Sequence, residues 1–303
     1  MNLFSQIRAW LEFVKFSHTV FALPFALASM AVAARPTRGW PGWRTFGLIL
    51  AAMVCARTCA MAFNRIVDRE FDSRNPRTSQ RHLPAGLLPL ASAWSLCLLS
   101  AGGLILASYF LNPICFILSP VALFLICFYS LTKRFTDFTH VFLGIAVSLA
   151  PLGAWLAVVG DFRLWPMQQS FLLPLFLAAG VVFWLIGFDI IYALQDYDFD
   201  RRHGLHSLVV RWGPTNALRV AFMSHLVMWG FLALFGLISR FRVAYFTALM
   251  IILISLLFEH WLARRRSLKW INVAFFKLNA LISLVFVAGT LAEVAFPHFK
   301  FAK

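Results

Sequence analysis

FLLPLFLAAGVVFWLIGFDIIYAL, residues 171–194, holds a single charge, Asp189, in a run long enough to cross a bilayer. A spanning helix takes about 20 mainly apolar residues. Directly after the run the chain turns acidic, in Gln195-Asp196-Tyr197-Asp198-Phe199-Asp200. An apolar helix that ends on clustered carboxylates predicts a membrane span whose end carries chemistry. Outward from this segment, further apolar runs lie at about residues 17–34, 46–63, 88–110, 112–131, 140–159, 216–239, 243–262 and 272–296. Pro36, Gly39, Pro41, Gly86, Pro113, Pro166 and Gly213-Pro214 punctuate the connections. The expected fold is an all-α integral membrane protein, one domain over residues 1–303. About nine transmembrane helices would bundle around a central cavity open on the cytoplasmic side. Two of the runs meet at Asn112-Pro113 with almost no loop, so eight spans with a re-entrant pair is the alternative.

Composition agrees with that architecture. The chain is 61% hydrophobic and 13% charged, with 33 Phe and 11 Trp, far from a soluble domain or a disordered segment. Lys and Arg divide unevenly between the two sides. The N-terminus and the connections after the second, fourth, sixth and eighth spans hold 17 of them, against 8 on the other side. By the positive-inside rule the richer side is cytoplasmic, which predicts a multi-pass protein of the bacterial inner membrane. Arg264-Arg265-Arg266 reads as part of this topological signal and as a lipid-headgroup contact, and no nucleic-acid role is expected. Arg8, Lys15 and the apolar stretch ending at Ala31-Val32-Ala33 imitate a signal peptide. Pro24 and the polar Ser17-His18-Thr19 favour a retained span. All five Cys lie inside runs and read as small apolar residues rather than a metal site.

Only 12 acids oppose 27 bases, and seven of the 12 fall in two short stretches. The first is Asn64-Arg65-Ile66-Val67-Asp68-Arg69-Glu70-Phe71-Asp72, at the end of the second span. Asn64, Asp68 and Asp72 share a helix face at i, i+4, i+8. In the second stretch Asp189, Tyr192, Asp196 and Asp200 share a face, while Asp198 points away. Four spans separate the two stretches, so both open on one side. Carboxylates gathered this closely oppose one another's ionisation. Divalent cations relieve that repulsion, and an all-oxygen donor set suits Mg²⁺ completed by phosphate oxygens. The bland reading, a solvated rim paired with neighbouring Arg, fits Glu70 or Asp198 better than it fits the two stretches together. Arg77, Arg81, Lys133 and Arg134 flank the same region and are candidate diphosphate donors.

These residues resemble the UbiA-type membrane prenyltransferases. That family's Asn-Asp-x-x-Asp-x-x-x-Asp motif corresponds to Asn64-Arg65-x-x-Asp68-x-x-x-Asp72. Its Asp-x-x-x-Asp corresponds to Asp196 through Asp200, behind Tyr192-Ala193. The family's Tyr-x-x-x-Lys is matched by Tyr129 and Lys133. The segments 15–25 and 81–86 are similar as well. Arg65 departs from the common Asp, a departure shared with the quinone-pathway branch, and argues against a metal-ligand role there. Residues 195–207 look most like the 4-hydroxybenzoate polyprenyltransferases.

The resemblance implies Mg²⁺-dependent transfer of a polyprenyl group from polyprenyl diphosphate to a ring carbon of an aromatic acid. Asn64, Asp68, Asp72, Asp196 and Asp200 would hold the metal. Lys133, Arg77 and Arg81 would stabilise the departing diphosphate, and Arg134 would meet the acceptor carboxylate. Tyr129 and Tyr192 would face the allylic cation, and Asp189 or Asp196 would assist deprotonation. An alternative acceptor is 1,4-dihydroxy-6-naphthoate, in the futalosine route to menaquinone. Two rivals of other classes are weaker. A cation-coupled transporter calls for acids near mid-bilayer and for broken helices. A CDP-alcohol phosphotransferase calls for an Asp-x-x-Asp-Gly-x-x-Ala-Arg pattern that is missing.

Overall fold

The computed structural model describes residues 10, 12–14, 19–264 and 273–296. The Lys15-to-His18 part of the N-terminal segment and Arg265-Arg266 lie outside the described residues. Backbone groups in a bilayer core have no water to bond, so each span must satisfy its own amides, and these apolar runs do so as helices. Those long enough to cross are α2 (Trp43–Val67), α4 (Leu90–Leu111), α5 (Pro113–Thr132), α6 (Thr139–Val159), α7 (Leu172–Ala193), α9 (Leu208–Ile238) and α10 (Val243–Ala263). The eighth is α11 (Asn279–Ala295), extended to Phe276 by the end of a π-helical turn, Val273–Leu278. Two short helices, α3 (Arg69–Arg74) and α8 (Tyr197–Arg202), continue α2 and α7 beyond breaks.

The ninth apolar run forms α1, Thr19–Ala33. At about 1.5 Å per residue it is some 22 Å long, short of a bilayer core of about 30 Å. It is not lipid-facing. Phe25, Ala26, Ala28 and Ala31 are fully buried, and α1 packs between α6 and α11. Among the described residues the expected nine runs give eight helices long enough to cross and one shorter apolar helix, α1, inside the bundle. Asn112 settles the re-entrant alternative: it is extended, its side chain accepts from Cys115 N, and its Nδ2 donates to Leu156 O. The chain thus turns sharply between two full-length helices and is tied to the end of α6. Helix α9 is two segments, the first starting at Leu208 with Ser207 as its cap and the second at Pro214, with the non-helical Gly213 between them where the sequence punctuation expects a break. Gly213 has φ 76°, which Pro214 and the second helical segment follow.

Helix α7 is the inner member. Over its most apolar window 61% of residues are buried, against 22% for α5 at the lipid-facing side. Leu173, Leu177, Val181, Trp184, Ile190 and Ile191 are fully enclosed, with α6 and α9 on either side. Lipid is as apolar as these side chains, so close packing at small residues, rather than exclusion from water, holds such helices together. Gly144 of α6 shows this, for a Cβ there would stand 2.9 Å from Val182 O. The central position of α7 carries its acidic end into the middle of the bundle.

Candidate active site

The first acidic bank forms where α2 breaks. Asp68 is the junction residue, with φ −90° and ψ 1°, and Asn64 Nδ2 donates to its Oδ2 at 2.9 Å. Helix α3 then carries Asp72 inward, where Arg81 Nη1 donates to both carboxylate oxygens at 2.7 and 2.8 Å and Arg65 stands 4.0 Å away. Pro76 holds Asn75 extended and ends α3. The chain then doubles back. Asn75 Oδ1 accepts from Arg77 N, and Asn75 Nδ2 donates to Asp196 Oδ1 at 3.0 Å. Arg77 completes the crossing, with Nε 2.8 Å from Asp196 Oδ1, a second donor on Oδ2, and Nη1 3.1 Å from the Tyr192 hydroxyl.

The second bank follows α7. A single 3₁₀ turn, Leu194–Asp196, precedes α8, yet Asp189, Tyr192, Asp196 and Asp200 all reach the same cavity. Lys133 Nζ lies 2.7 Å from Asp200 Oδ2, and its loop is pinned by His206 N donating to Lys133 O. Arg134 donates to Val67 O at 2.6 Å, stands 3.6 Å from Asp68, and lies over the Phe71 ring. Glu70 and Asp198 are exposed and outside the lining, as the bland reading anticipated.

Both banks line one cavity of about 330 Å³. All twelve residues singled out from the sequence lie on its wall: Asn64, Asp68, Asp72, Arg77, Arg81, Tyr129, Lys133, Arg134, Asp189, Tyr192, Asp196 and Asp200. A second cavity of about 350 Å³, lined mainly by apolar side chains of α2, α4, α5 and α6, adjoins it. Ala22, Arg57, Tyr129, Leu143 and Val147 belong to both walls. The site is therefore a charged chamber continuous with an apolar one.

Three residues here escaped the sequence reading. Arg57 is a charge within the second span and belongs to none of the motifs. It sits at the junction of the two chambers with its Nε buried and without a partner. An intramembrane charge is itself the signal that could have found it. Asn75 lies just beyond the first acidic stretch and belongs to none of the motifs. His140, buried in α6 with Nδ1 2.7 Å from Asp189 Oδ2, had no local motif to mark it.

Electrostatically the chamber is balanced by pairs. Burial pushes the Asp68 carboxyl up to about 6, and Asp72 adds to the shift, while Lys133, Arg134 and Arg65 oppose it. Burial disfavours the Arg77 guanidinium, but Asp196 outweighs this and holds it above its ordinary value. Among the described residues no three His, Cys, Asp or Glu side chains form a ready-made metal cluster. The carboxylates stand instead in two banks, each beside a cation that a phosphate could claim.

Comparisons with known proteins agree with this geometry. The UbiA prenyltransferase family matches residues 22–281. A 4-hydroxybenzoate octaprenyltransferase of Tolumonas auensis is 31% identical over 254 residues, covering 84% of this chain and 86% of that one. A Methylobacillus flagellatus protein of the same name is 31% identical over 258 residues, covering 84% and 83%. Among solved structures, the apo UbiA homologue from Aeropyrum pernix superposes with a TM-score of 0.80 at 27% identity, over 91% of this chain and 98% of that one. A UbiA homologue from Archaeoglobus fulgidus bound to DMAPP and Mg²⁺ shares the fold, with a TM-score of 0.71 at 20% identity, over 94% and 98%. Matched over most of its length by the family and by relatives 31% identical, the chain belongs to the UbiA prenyltransferase family and is a membrane-embedded prenyltransferase.

Proposed function

We propose that the protein transfers a polyprenyl group from polyprenyl diphosphate to a ring carbon of 4-hydroxybenzoate or a closely related hydroxy-aromatic acid, with Mg²⁺, in quinone biosynthesis. The observation that carries this reading is the joined pair of chambers. One is built for a diphosphate and the other for its isoprenoid tail, and they meet at a tyrosine ring and a buried guanidinium. The names of the relatives that are 31% identical favour 4-hydroxybenzoate as acceptor.

The donor set fits Mg²⁺: all oxygen, with few carboxylates in each bank, leaving coordination positions for water and phosphate oxygens. Asn64, Asp68 and Asp72 on one side, and Asp196 and Asp200 on the other, would hold it. Bound there, Mg²⁺ supplies charge neutralisation to the leaving diphosphate. The chain's own cations do the rest. Arg77, Arg81 and Lys133, here paired with Asp196, Asp72 and Asp200, are the cations that would donate to phosphate oxygens when those carboxylates hold the metal. The internal pairs thus keep the chamber neutral before substrate arrives and donate to the leaving group afterwards.

Ionisation of the prenyl C–O bond leaves an allylic cation, and the Tyr129 ring at the mouth of the apolar chamber is placed to face it. Tyr192 lies under the Arg77 guanidinium, 5.4 Å from its ring centroid, and serves more as a partner of that Arg. The acceptor carboxylate we assign to Arg57, whose Nε has no partner, rather than to Arg134, whose guanidinium already holds Val67 O and neighbours Asp68. Asp196 is held by Arg77 and Asn75, so Asp189 is the carboxylate left to assist the acceptor's deprotonation. The active chamber faces the cytoplasm of a bacterial inner membrane, on the side richer in Lys and Arg.

The test is direct. Membranes containing the protein receive a polyprenyl diphosphate, Mg²⁺ and either 4-hydroxybenzoate or 1,4-dihydroxy-6-naphthoate, with Asp68→Asn as control. Prenylated 4-hydroxybenzoate that depends on Asp68 is the expected product. Product from the naphthoate alone reassigns the acceptor, and no product from either sinks the proposal.

A further inference from the structure

His140 and Asp189 form a unit that the diphosphate chemistry does not use. His140 lies in the first turn of α6 and Asp189 near the end of α7, and both line the charged chamber. His140 Nδ1 stands 2.7 Å from Asp189 Oδ2. The imidazole is 1% exposed, while Asp189 is half-buried. A carboxylate only accepts, so the imidazole proton resides on Nδ1 and the free lone pair on Nε2. That Nε2 is buried and has no hydrogen-bond partner.

Two contrasts give this arrangement its meaning. Asp72, Asp196 and Asp200 each face a Lys or Arg, whereas Asp189 faces an imidazole. Leaving a buried acceptor unbonded costs stability, so stability alone would favour a residue without that atom. A carboxylate that orients an imidazole and leaves its far nitrogen free is the arrangement of a general base.

We infer that His140, oriented by Asp189, takes the ring proton of the aromatic acceptor. The inference rests on the acceptor class proposed above. The prenyl C–O bond breaks and its electron pair leaves with the diphosphate. A ring-carbon π pair then forms the new C–C bond to the allylic carbon. The proton on that ring carbon passes to His140 Nε2, and the C–H pair restores aromaticity. The imidazolium so formed lies against the Asp189 carboxylate, which stabilises it, and later releases its proton to solvent. Imidazole suits this step because its ordinary pKa lies near the working pH, where a base is effective and regenerates readily.

The decisive experiment uses the full-length protein and 4-hydroxybenzoate deuterated at the two ring positions beside the hydroxyl. His140→Asn keeps an amide donor for Asp189 and removes the distal base. Turnover is expected to fall about 100-fold, within the range for loss of a general base, with both KM values near those of wild type. Proton removal then limits the rate, so a primary deuterium isotope effect absent from wild type emerges. A merely structural role would lower turnover without creating it. Thermal stabilisation by prenyl diphosphate with Mg²⁺ verifies that the variant is folded. Should it fail that check, Asp189→Asn, which weakens the orientation of His140, is read for the same isotope effect. Undiminished turnover, or a loss with no isotope effect, overturns the inference. Absence of product from wild type instead overturns the acceptor class, and the inference with it.

Discussion

Arg57 and Arg134 are both arginines on the wall of one chamber, and their surroundings separate their roles. Arg134 is already bonded at the rim, while Arg57 is half-buried where the chambers meet, its Nε enclosed and without a partner. Replacing Arg57 with Leu is expected to raise the acceptor KM roughly 10–100-fold, the loss of a charge-assisted hydrogen bond of about 1.5–3 kcal/mol. The KM for prenyl diphosphate should stay unchanged, and Arg134→Leu should spare the acceptor KM. Steady-state kinetics with each substrate varied in turn checks both. Equal effects on the two substrates would remove Arg57 from the acceptor. A second residue-scale test concerns Arg77, whose fork spans both oxygens of Asp196 while reaching the Tyr192 hydroxyl. Lysine keeps the charge but cannot form the fork. Arg77→Lys should therefore lower kcat/KM by roughly 10–100-fold, on the same scale of about 1.5–3 kcal/mol per charged hydrogen bond.

At the scale of elements, the site depends on how tightly α7 is gripped. Its end carries Asp189, Tyr192 and Asp196, so any rotation of α7 misplaces all three. On the α9 side the grip is a close approach at Gly187, where an added Cβ would come within 2.1 Å of the His225 ring. That ring has little freedom to yield, being fully buried, bonded to His260 at 2.9 Å and near Trp184 O. Trp184 in turn donates to Asn279 Oδ1 at 2.6 Å, and Asn279 donates to Glu259, which ties α7 to α10 and α11. Gly187→Ala should consequently destabilise the protein by roughly 1–3 kcal/mol, as overpacking does. Thermal unfolding in detergent measures this, and an unaltered melting temperature would show that α7 and α9 can part without cost. The acidic ends themselves were legible as helical faces. The breaks at Asp68 and within Leu194–Asp196 were not, because they follow from where partners pull those residues rather than from local propensity.

For the whole molecule, orientation is the property with a test of its own. A nine-span reading of the sequence assigns 17 Lys and Arg to the side of the acidic banks and 8 to the other. Cysteines introduced at Leu164 and at Arg202, both exposed and at opposite ends of α7, report the two faces. A membrane-impermeant thiol reagent should label Leu164→Cys in spheroplasts and reach Arg202→Cys only after permeabilisation. The opposite pattern would turn the active chamber outward.

The sequence by itself determined that the chain is a helical membrane protein, that its acids gather on one side, and which twelve residues would meet there. Each of these is local or additive: apolar run length, charge counts, residue spacing and the parity of spans. Tertiary structure alone decided that α1 lies inside the bundle, since its burial depends on what packs around it. Partner choice was likewise decided in three dimensions, where Asp196 takes Arg77 and Asn75 from the opposite bank and Asp189 takes His140 from α6. So was the junction at Arg57, because a lone arginine in an apolar run reads as an anomaly until two cavities are seen to meet at it. Spacing along a chain states which side chains share a face. Only the packed bundle states which faces oppose one another.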